Sequence, residues 1–268
     1  AMAHSERLET ALAAAHAAAE LIRHYYEHDG EDIEVRAKSD RSPVTDADVE
    51  AERTIRRVIA ERYPEHGFYG EETGRADRDS PFLWLVDPID GTKSFVRRYP
   101  FFSTQIALME EGELVLGVSS APAFGELAWA EKGGGAWLEG ERIRVSAVDA
   151  LADAAVSAGN LRSLALSARW PAWGEVVAGA DRIRGYGDFY HYHLLASGRI
   201  DAVVESDVNI LDIAALAVIV REAGGVFTDL SGAPPGLGTT TVLAANPALH
   251  PVLRQMLDWP SGAGRGPG

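Results

Sequence analysis

The chain has 268 residues, 46% hydrophobic and 24% charged, the balance of a folded globular protein and not of a disordered one. Its 25 Lys and Arg face 40 Asp and Glu, a formal net charge of −15; a surface this acidic repels nucleic acid and anionic lipid, so neither is expected as a partner. There is no cysteine, which excludes a disulfide scaffold, thiolate zinc sites and a cysteine nucleophile.

In chain order, Ser5 to His28 reads as a helix, because Leu8, Leu12, Ala15, Ala19, Ile22 and Tyr26 recur at steps of three or four. Ser39 to Pro43 reads as a loop. Thr45 is the expected N-cap of a second helix that runs to about Arg62, with acids in its first turn and Pro64 beyond its end. Gly67-Phe68-Tyr69 is strand-like and ends in Gly70-Glu71-Glu72. Asp77 to Ser80 is polar and loop-like. Phe82 to Val86 is a continuous apolar run, as in a strand buried on both faces, and is expected to end at Asp87-Pro88-Ile89-Asp90-Gly91-Thr92.

From Phe102 to Ser146, short apolar runs broken by Glu111-Gly112, Phe124-Gly125, Gly133-Gly134-Gly135 and Glu139-Gly140 predict hairpins of an antiparallel sheet. The rhythm then changes. Strands are expected over 155–158, 200–205, 226–230 and 241–245, with a helical stretch after the first of these. Helices are expected over 189–197, 212–223 and 247–257. This alternation suggests an α/β second half, so the chain divides into 1–146 and 147–268. The Ser261–Gly268 tail is Gly-rich and expected to be mobile. No apolar run approaches the roughly 18 residues that span a bilayer, and Ala1-Met2-Ala3-His4-Ser5 lacks the basic and apolar regions of a signal peptide; a cytoplasmic protein is expected.

The informative residues are acids at the ends of elements. Asp87 and Asp90 flank a Pro88-Ile89 turn, which can aim both carboxylates and the Ile89 carbonyl at one point. Hard cations such as Mg²⁺ take oxygen ligands of this kind, few from the protein and the rest from water and phosphate. If a short helix starts at Gly91-Thr92, its free N–H groups suit a phosphate oxygen. Glu71 ends a nearby strand, and Asp212 opens an apolar helix. Clustered carboxylates repel unless cations neutralise them. The chemistry this predicts is metal-assisted hydrolysis of a phosphate ester, with Asp48 and Thr92 accepting the water's proton and orienting it.

Taken singly, each feature has a plain structural reading. Asp-Gly after a strand makes a turn, and Asp at a helix start makes a cap. Asp46 decorates a first turn, and Glu72 is either a neighbour of a ligand or a solvated charge. A Walker loop is absent, and Gly185-Tyr186-Gly187 lacks the third glycine of a dinucleotide site. His191 and His193 are two apart on a helix and face different ways, and His24 and His28 lack a third ligand. Ser103 and Ser157 lack a nucleophile elbow, and Trp170 and Trp173 read as packing or interface residues.

Trp84-Leu85-Val86-Asp87-Pro88-Ile89-Asp90-Gly91-Thr92-Lys93-Ser94-Phe95 resembles the first signature of the inositol monophosphatase superfamily. Asp212-Ile213-Ala214-Ala215-Leu216, leading to Glu222-Ala223-Gly224-Gly225, resembles the second. Gly70-Glu71-Glu72 and Val44-Thr45-Asp46-Ala47-Asp48 match the same pattern in order, and the likeness spans roughly residues 5–257. The resemblance implies an α+β protein with an α/β second half, in the five-layer αβαβα sandwich of the inositol monophosphatase/fructose-1,6-bisphosphatase type. It implies that Glu71, Asp87, the Ile89 carbonyl, Asp90 and Asp212 bind two to three Mg²⁺ ions, Mn²⁺ being a substitute. It further implies that Asp48, Thr92 and Glu71 serve catalysis, that Gly91 and Thr92 hold phosphate, that Asp90, Asp188, Glu205 and Asp212 meet the substrate alcohol, and that the protein is a homodimer working without a phosphoenzyme.

Arg182-Ile183-Arg184-Gly185-Tyr186-Gly187-Asp188-Phe189 resembles the bacterial, especially actinobacterial, histidinol-phosphatase branch, and Asn209, three before Asp212, points the same way as a substrate-side residue. Asp188 and Glu205 would offer negative charge to an amine or imidazolium, which histidinol phosphate has and inositol phosphate lacks; the plain alternative makes Asp188 a helix N-cap. Leu211 departs from the aromatic residue frequent before the second-motif Asp. The expected substrate is therefore a small phosphate monoester, L-histidinol phosphate first, with inositol 1-phosphate or a range of sugar phosphates as the alternative. A haloacid-dehalogenase-type phosphatase fits worse, because Asp87-x-x-Asp90 is one residue too long for its Asp-x-Asp and leaves Glu71 and Asp212 without roles. A non-enzymatic binding protein on this scaffold would have lost an acid or Thr92, and every one is present.

Overall fold

A computed structural model describes residues 4–28, 35–37 and 43–262. The chain order is α1 (Glu6–His28), β1 (Val35–Ala37), β2 (Pro43–Thr45), α2 (Asp46–Arg62), β3 (Gly67–Gly70), β4 (Gly74–Ala76), β5 (Phe82–Asp90), α3 (Thr92–Val96), β6 (Ser103–Glu110), β7 (Glu113–Ala121), β8 (Glu126–Glu131), β9 (Gly135–Leu138) and β10 (Glu141–Ile143). There follow β11 (Ala155–Gly159), α4 (Arg162–Leu166), α5 (Trp170–Gly179), β12 (Arg182–Arg184), α6 (Tyr190–Ala196), β13 (Ala202–Glu205), α7 (Ile210–Glu222), β14 (Val226–Thr228), β15 (Val242–Ala245) and α8 (Leu249–Leu257). The expected Ser39–Pro43 loop lies outside the described residues except for Pro43, which opens β2, and so does the tail beyond residue 262.

Strands β3–β10 form an eight-stranded sheet in the order β10-β9-β8-β7-β6-β5-β3-β4, antiparallel except for the β3–β5 pair. Strands β11–β15 form a five-stranded sheet in the order β12-β11-β13-β15-β14, in which β11 runs parallel to β12 and β13. Helices α1 and α2 cover one face of the larger sheet. α6 and α7 lie between the two sheets, and α5 and α8 pack together on the outer side of the smaller one. These are the five layers of the αβαβα sandwich.

Strand alternation explains the layering. In β5, Trp84 and Val86 enter the core beneath α1 and α2, while Leu85 enters the core around α7. In β13, Val203 faces α7, while Ala202 and Val204 face α8. Buried on both faces, such strands read as continuous apolar runs.

α7 sits between the sheets and buries ten of its residues, including Ile210, Leu211, Ile213, Leu216, Ile219 and Val220; each Leu, Ile or Val contributes roughly 1.5–3 kcal/mol through burial. Its approach to β7 requires Gly117, where a Cβ would lie 2.4 Å from the Ala215 carbonyl oxygen. That close seating brings the start of α7 to the end of β5.

Some expectations need correction. β5 does not stop at Val86 but runs to Asp90, with its register against β6 shifting between Asp87 and Asp90. Pro88 has no N–H for the ladder, so the strand bulges there and continues, and the freed Pro88 carbonyl accepts from Thr104 Oγ1 at 2.8 Å. α7 starts two residues before Asp212, capped by Asn209. The helical stretch after β11 is two helices, α4 and α5. The strands β1, β4 and β12 carried no sequence signal, being three residues each.

Candidate active site

The bulge at Pro88 interrupts the ladder between the Asp87–Gln105 and Asp90–Ser103 pairs, placing Asp87, Ile89 and Asp90 at the sheet's end beside the first turn of α7. There a carboxylate oxygen from each of Asp87, Asp90 and Asp212 lies within 4.8 Å of the others. Burial holds the Asp87 and Asp90 carboxyls well above the usual range. The neighbouring Asp90, Asp212 and Glu71 push Asp87 further the same way, and Asp212, Asp188, Glu205 and Glu71 do so for Asp90. Asp212 is raised from 3.8 to about 6, chiefly by burial, against the opposing pull of the Asn209 N–H. Asp87 and Asp90 carry the repulsion of their neighbours, while a hydrogen bond from Asp87 lowers Asp212; carboxyls gathered so closely become stable together as anions when a cation joins them. The set of hard oxygen donors fits a divalent ion such as Mg²⁺.

The local sequence explains each placement. Asn209 Oδ1 accepts from the Leu211 N–H at 2.9 Å, and Asp212 Oδ2 accepts from the Asn209 N–H at 3.0 Å. This reciprocal capping box leaves the second oxygen of Asp212 for the site. Asn209, expected on the substrate side, is exposed and acts as this cap. Gly91 adopts φ 88° at the start of α3, a conformation open to glycine, and a Cβ there would meet the Phe101 carbonyl oxygen at 2.5 Å.

A second capping box positions Asp48. Its Oδ2 accepts from both the N–H (2.8 Å) and the hydroxyl (2.5 Å) of Thr45. Its Oδ1 lies 2.9 Å from Thr92 Oγ1, which is also 3.0 Å from the Ile89 carbonyl oxygen. The structure thus brings Asp48, Thr92 and the Ile89 carbonyl into one chain that begins at the cap of α2.

Glu71 follows β3, with its N–H donating to the Val86 carbonyl at 3.1 Å. It raises Asp87, Asp90 and Asp212 electrostatically but stands outside the three that converge within 4.8 Å. Sequence reasoning missed the residue that holds its turn. Glu52 is wholly buried and accepts from the N–H groups of Glu72 (2.8 Å) and Thr73 (2.7 Å). Burial raises its carboxyl, with Glu71 adding to the rise and these N–H groups opposing it. The available signal was spacing, since Glu52 lies one helical turn beyond Asp48 and therefore on the same face.

Asp90, Asn160, Asp188, Tyr192, Glu205 and Asp212 line one small cavity. Asp188 precedes α6 with φ 48°, a left-handed conformation that Asp tolerates. It is not the helix cap: that position is Phe189, and no side-chain capping bond forms. Its carboxyl is raised from 3.8 to about 6 by burial and by Glu205, with His191 opposing. Glu205, buried at the end of β13, accepts from the Tyr192 hydroxyl at 2.7 Å. Tyr192, unnoticed in the sequence, is pushed well above the usual phenol range by burial and by Glu205, so it remains a donor.

The histidines face apart as expected. His193 bridges Ser119 (2.7 Å) and Glu126 (2.8 Å), tying β7 to α6, whereas His191 meets Ser157 (3.0 Å). The His24 ring packs edge-on to Tyr25, and the side chain of His28 lies outside the described residues. Ser103 accepts from Gln105 Nε2 in the core. Trp173 is buried in packing, and Trp170 is exposed. Among the described residues, no helix is long and apolar enough to cross a membrane.

A sequence model of the inositol monophosphatase family matches residues 3–258. The chain is 39% identical over 254 residues to a histidinol-phosphatase of Mycobacterium tuberculosis, covering 93% of this chain and 96% of that one. It is 35% identical over 238 residues to an inositol-1-monophosphatase of Rhizobium meliloti, covering 86% and 88%. Among solved structures, the extragenic suppressor protein suhB of Bartonella henselae superposes with a TM-score of 0.87 at 31% identity, covering 96% of this chain and all of that one. With the acids, the Asp48–Thr92 pair and the five-layer fold in place, these matches show that the chain belongs to the inositol monophosphatase family, whose enzymes are phosphoric monoester hydrolases.

Proposed function

We propose that the protein is a Mg²⁺-dependent phosphomonoesterase that hydrolyses L-histidinol phosphate to L-histidinol and phosphate. The observation that carries the reading is the adjacency of two acid groups with different surroundings. Asp87, Asp90 and Asp212 converge as metal ligands do, and Asp90 also lines a cavity with Asp188 and Glu205. The first group calls for cations, and the second suits an amine. The relative named histidinol-phosphatase, at 39% identity, supports the same substrate.

In this reading Asp87, Asp90, Asp212, Glu71 and the Ile89 carbonyl hold two to three Mg²⁺ ions. When bound, Mg²⁺ offsets the charge of the phosphate and acidifies a water at neutral pH. Thr92 turns its O–H toward Asp48 Oδ1, which leaves its oxygen lone pairs to accept from that water. Thr45 keeps Asp48 fixed while the proton moves. The N–H groups of Gly91 and Thr92 hold phosphate oxygens. Asp188 and Glu205 receive the cationic end of the alcohol.

Inositol 1-phosphate is the second reading, favoured by the inositol-1-monophosphatase relative at 35% identity. Phosphate release with Mg²⁺ from both esters, compared as kcat/KM, separates the two. We expect a preference of about 100-fold for L-histidinol phosphate, about 2.7 kcal/mol of discrimination. Equal rates or the reverse order would leave the phosphatase and remove the substrate assignment.

A further inference from the structure

His191 is wholly buried on α6, and the hydrolysis derived above does not use it. Its Nδ1 lies 3.0 Å from Ser157 Oγ, and that oxygen already accepts from the Tyr186 N–H at 3.1 Å. Ser157 Oγ thus holds Nδ1 and fixes the ring, which turns its other nitrogen, Nε2, toward the end of β13. Nε2 is buried and has no hydrogen-bond partner, and it faces Glu205 Oε2 at 3.4 Å.

Glu205 is held from its other sides as well. Its Oε1 accepts from Tyr192, and a Cβ at Gly159 would lie 2.6 Å from its Oε2, so the glycine leaves that oxygen the space it occupies. A carboxylate has about four lone-pair sites. The Tyr192 hydrogen bond on Oε1 and the imidazole edge 3.4 Å from Oε2 bound the group on two sides and leave the remaining lone pairs to the cavity shared with Asp188 and Asp90.

We propose that His191 is a positioning residue for substrate selection, its Nε2 edge and the Tyr192 hydroxyl together setting Glu205 to receive a cationic amine on the alcohol of the phosphate ester. The proposal rests on the substrate reading above and deepens it. His191 touches no substrate. It acts through Glu205, so the Glu205 oxygens point into the cavity and not toward the core. A buried imidazole that merely fills space would support every substrate equally; one that orients Glu205 matters only where an amine is read.

The test compares His191→Asn with His191→Gln. Asn keeps a polar group near Ser157 and removes the one facing Glu205, whereas Gln carries an amide N–H out to the Nε2 position. Each variant is assayed with L-histidinol phosphate and inositol 1-phosphate under saturating Mg²⁺. We expect His191→Asn to lower the ratio of kcat/KM between the amine ester and the inositol ester by about tenfold, through KM of the amine ester, and His191→Gln to restore most of that ratio. His191→Leu, close in volume and without polar atoms, replaces the Asn variant if that one does not fold and is expected to lose the ratio likewise. Equal losses on both esters, or an unchanged ratio, overturn the proposal while the wild-type preference still stands. A wild-type enzyme without preference for the amine ester overturns the substrate reading and this proposal with it.

Discussion

Glu52 and the Asp87–Asp90–Asp212 group are buried acids on either side of Glu71, and burial raises the carboxyls of both. Their partners differ. Glu52 faces two backbone N–H groups that share its charge. The three aspartates face one another, and among the described residues only Asp212 has a backbone donor, the Asn209 N–H. A buried carboxylate answered by N–H donors is a structural tie. A set of them gathered together needs either a shared proton, as in the Asp87–Asp212 hydrogen bond, or a cation to offset the desolvation, and at neutral pH a cation suits it best. Burial alone therefore does not distinguish framework from chemistry; the sign of the neighbours does.

Substitutions on the two sides should break differently. Asp87→Asn removes a metal ligand and also a like charge. Turnover should fall by about 10³-fold or more, about 4 kcal/mol of transition-state stabilisation, while the melting temperature of the metal-free protein stays the same or rises. Normal turnover by this variant would remove the metal assignment. Glu52→Gln should do the reverse to stability, since its amide nitrogen confronts an N–H that the carboxylate accepted. Urea unfolding should show a loss of about 2 kcal/mol, and a loss near zero would mean that water replaces the contact. The smallest effect is at the cap of α2. Thr45→Val should cost about 1 kcal/mol in the same measurement and slow turnover several-fold by loosening Asp48, with Thr45→Ser restoring both. Unaltered turnover in the Val variant would detach the cap from catalysis.

The cation side was more legible in the sequence than the framework side. Asp87, Ile89, Asp90, Gly91 and Thr92 are contiguous, so one turn had to carry them together. Asp48 and Asp212 stand in the first turns of helices with readable caps. Glu52 looked like any acid on a helix, since its partners come from a turn twenty residues away that the fold lays against it. The cavity was half legible for the same reason. Asp188 and Glu205 stood out as acids at element ends, but Tyr192 and His191 gain their roles only when α6 packs on β13. The strand boundary at Val86 misled because proline normally ends a ladder; here a bulge absorbs it, and the site depends on that bulge.

The most direct test of the cation site is the melting temperature against pH, with and without Mg²⁺. A carboxyl raised in the folded state binds its proton more tightly there than in the unfolded chain. Its stabilising contribution is present at low pH and is lost as pH rises through the folded value. With Asp212 and Asp188 moved from 3.8 to about 6 and Asp87 and Asp90 raised further in the same direction, the metal-free protein should lose stability as pH climbs from about 4 past about 6. At a hundred times its dissociation constant, Mg²⁺ adds about 2.7 kcal/mol, and it binds the deprotonated acids. The gap between the two curves should therefore open with rising pH and close toward pH 4, and Asp87→Asn should narrow it. Curves that run parallel, or a melting temperature indifferent to millimolar Mg²⁺ at neutral pH, would contradict a metal site at these aspartates.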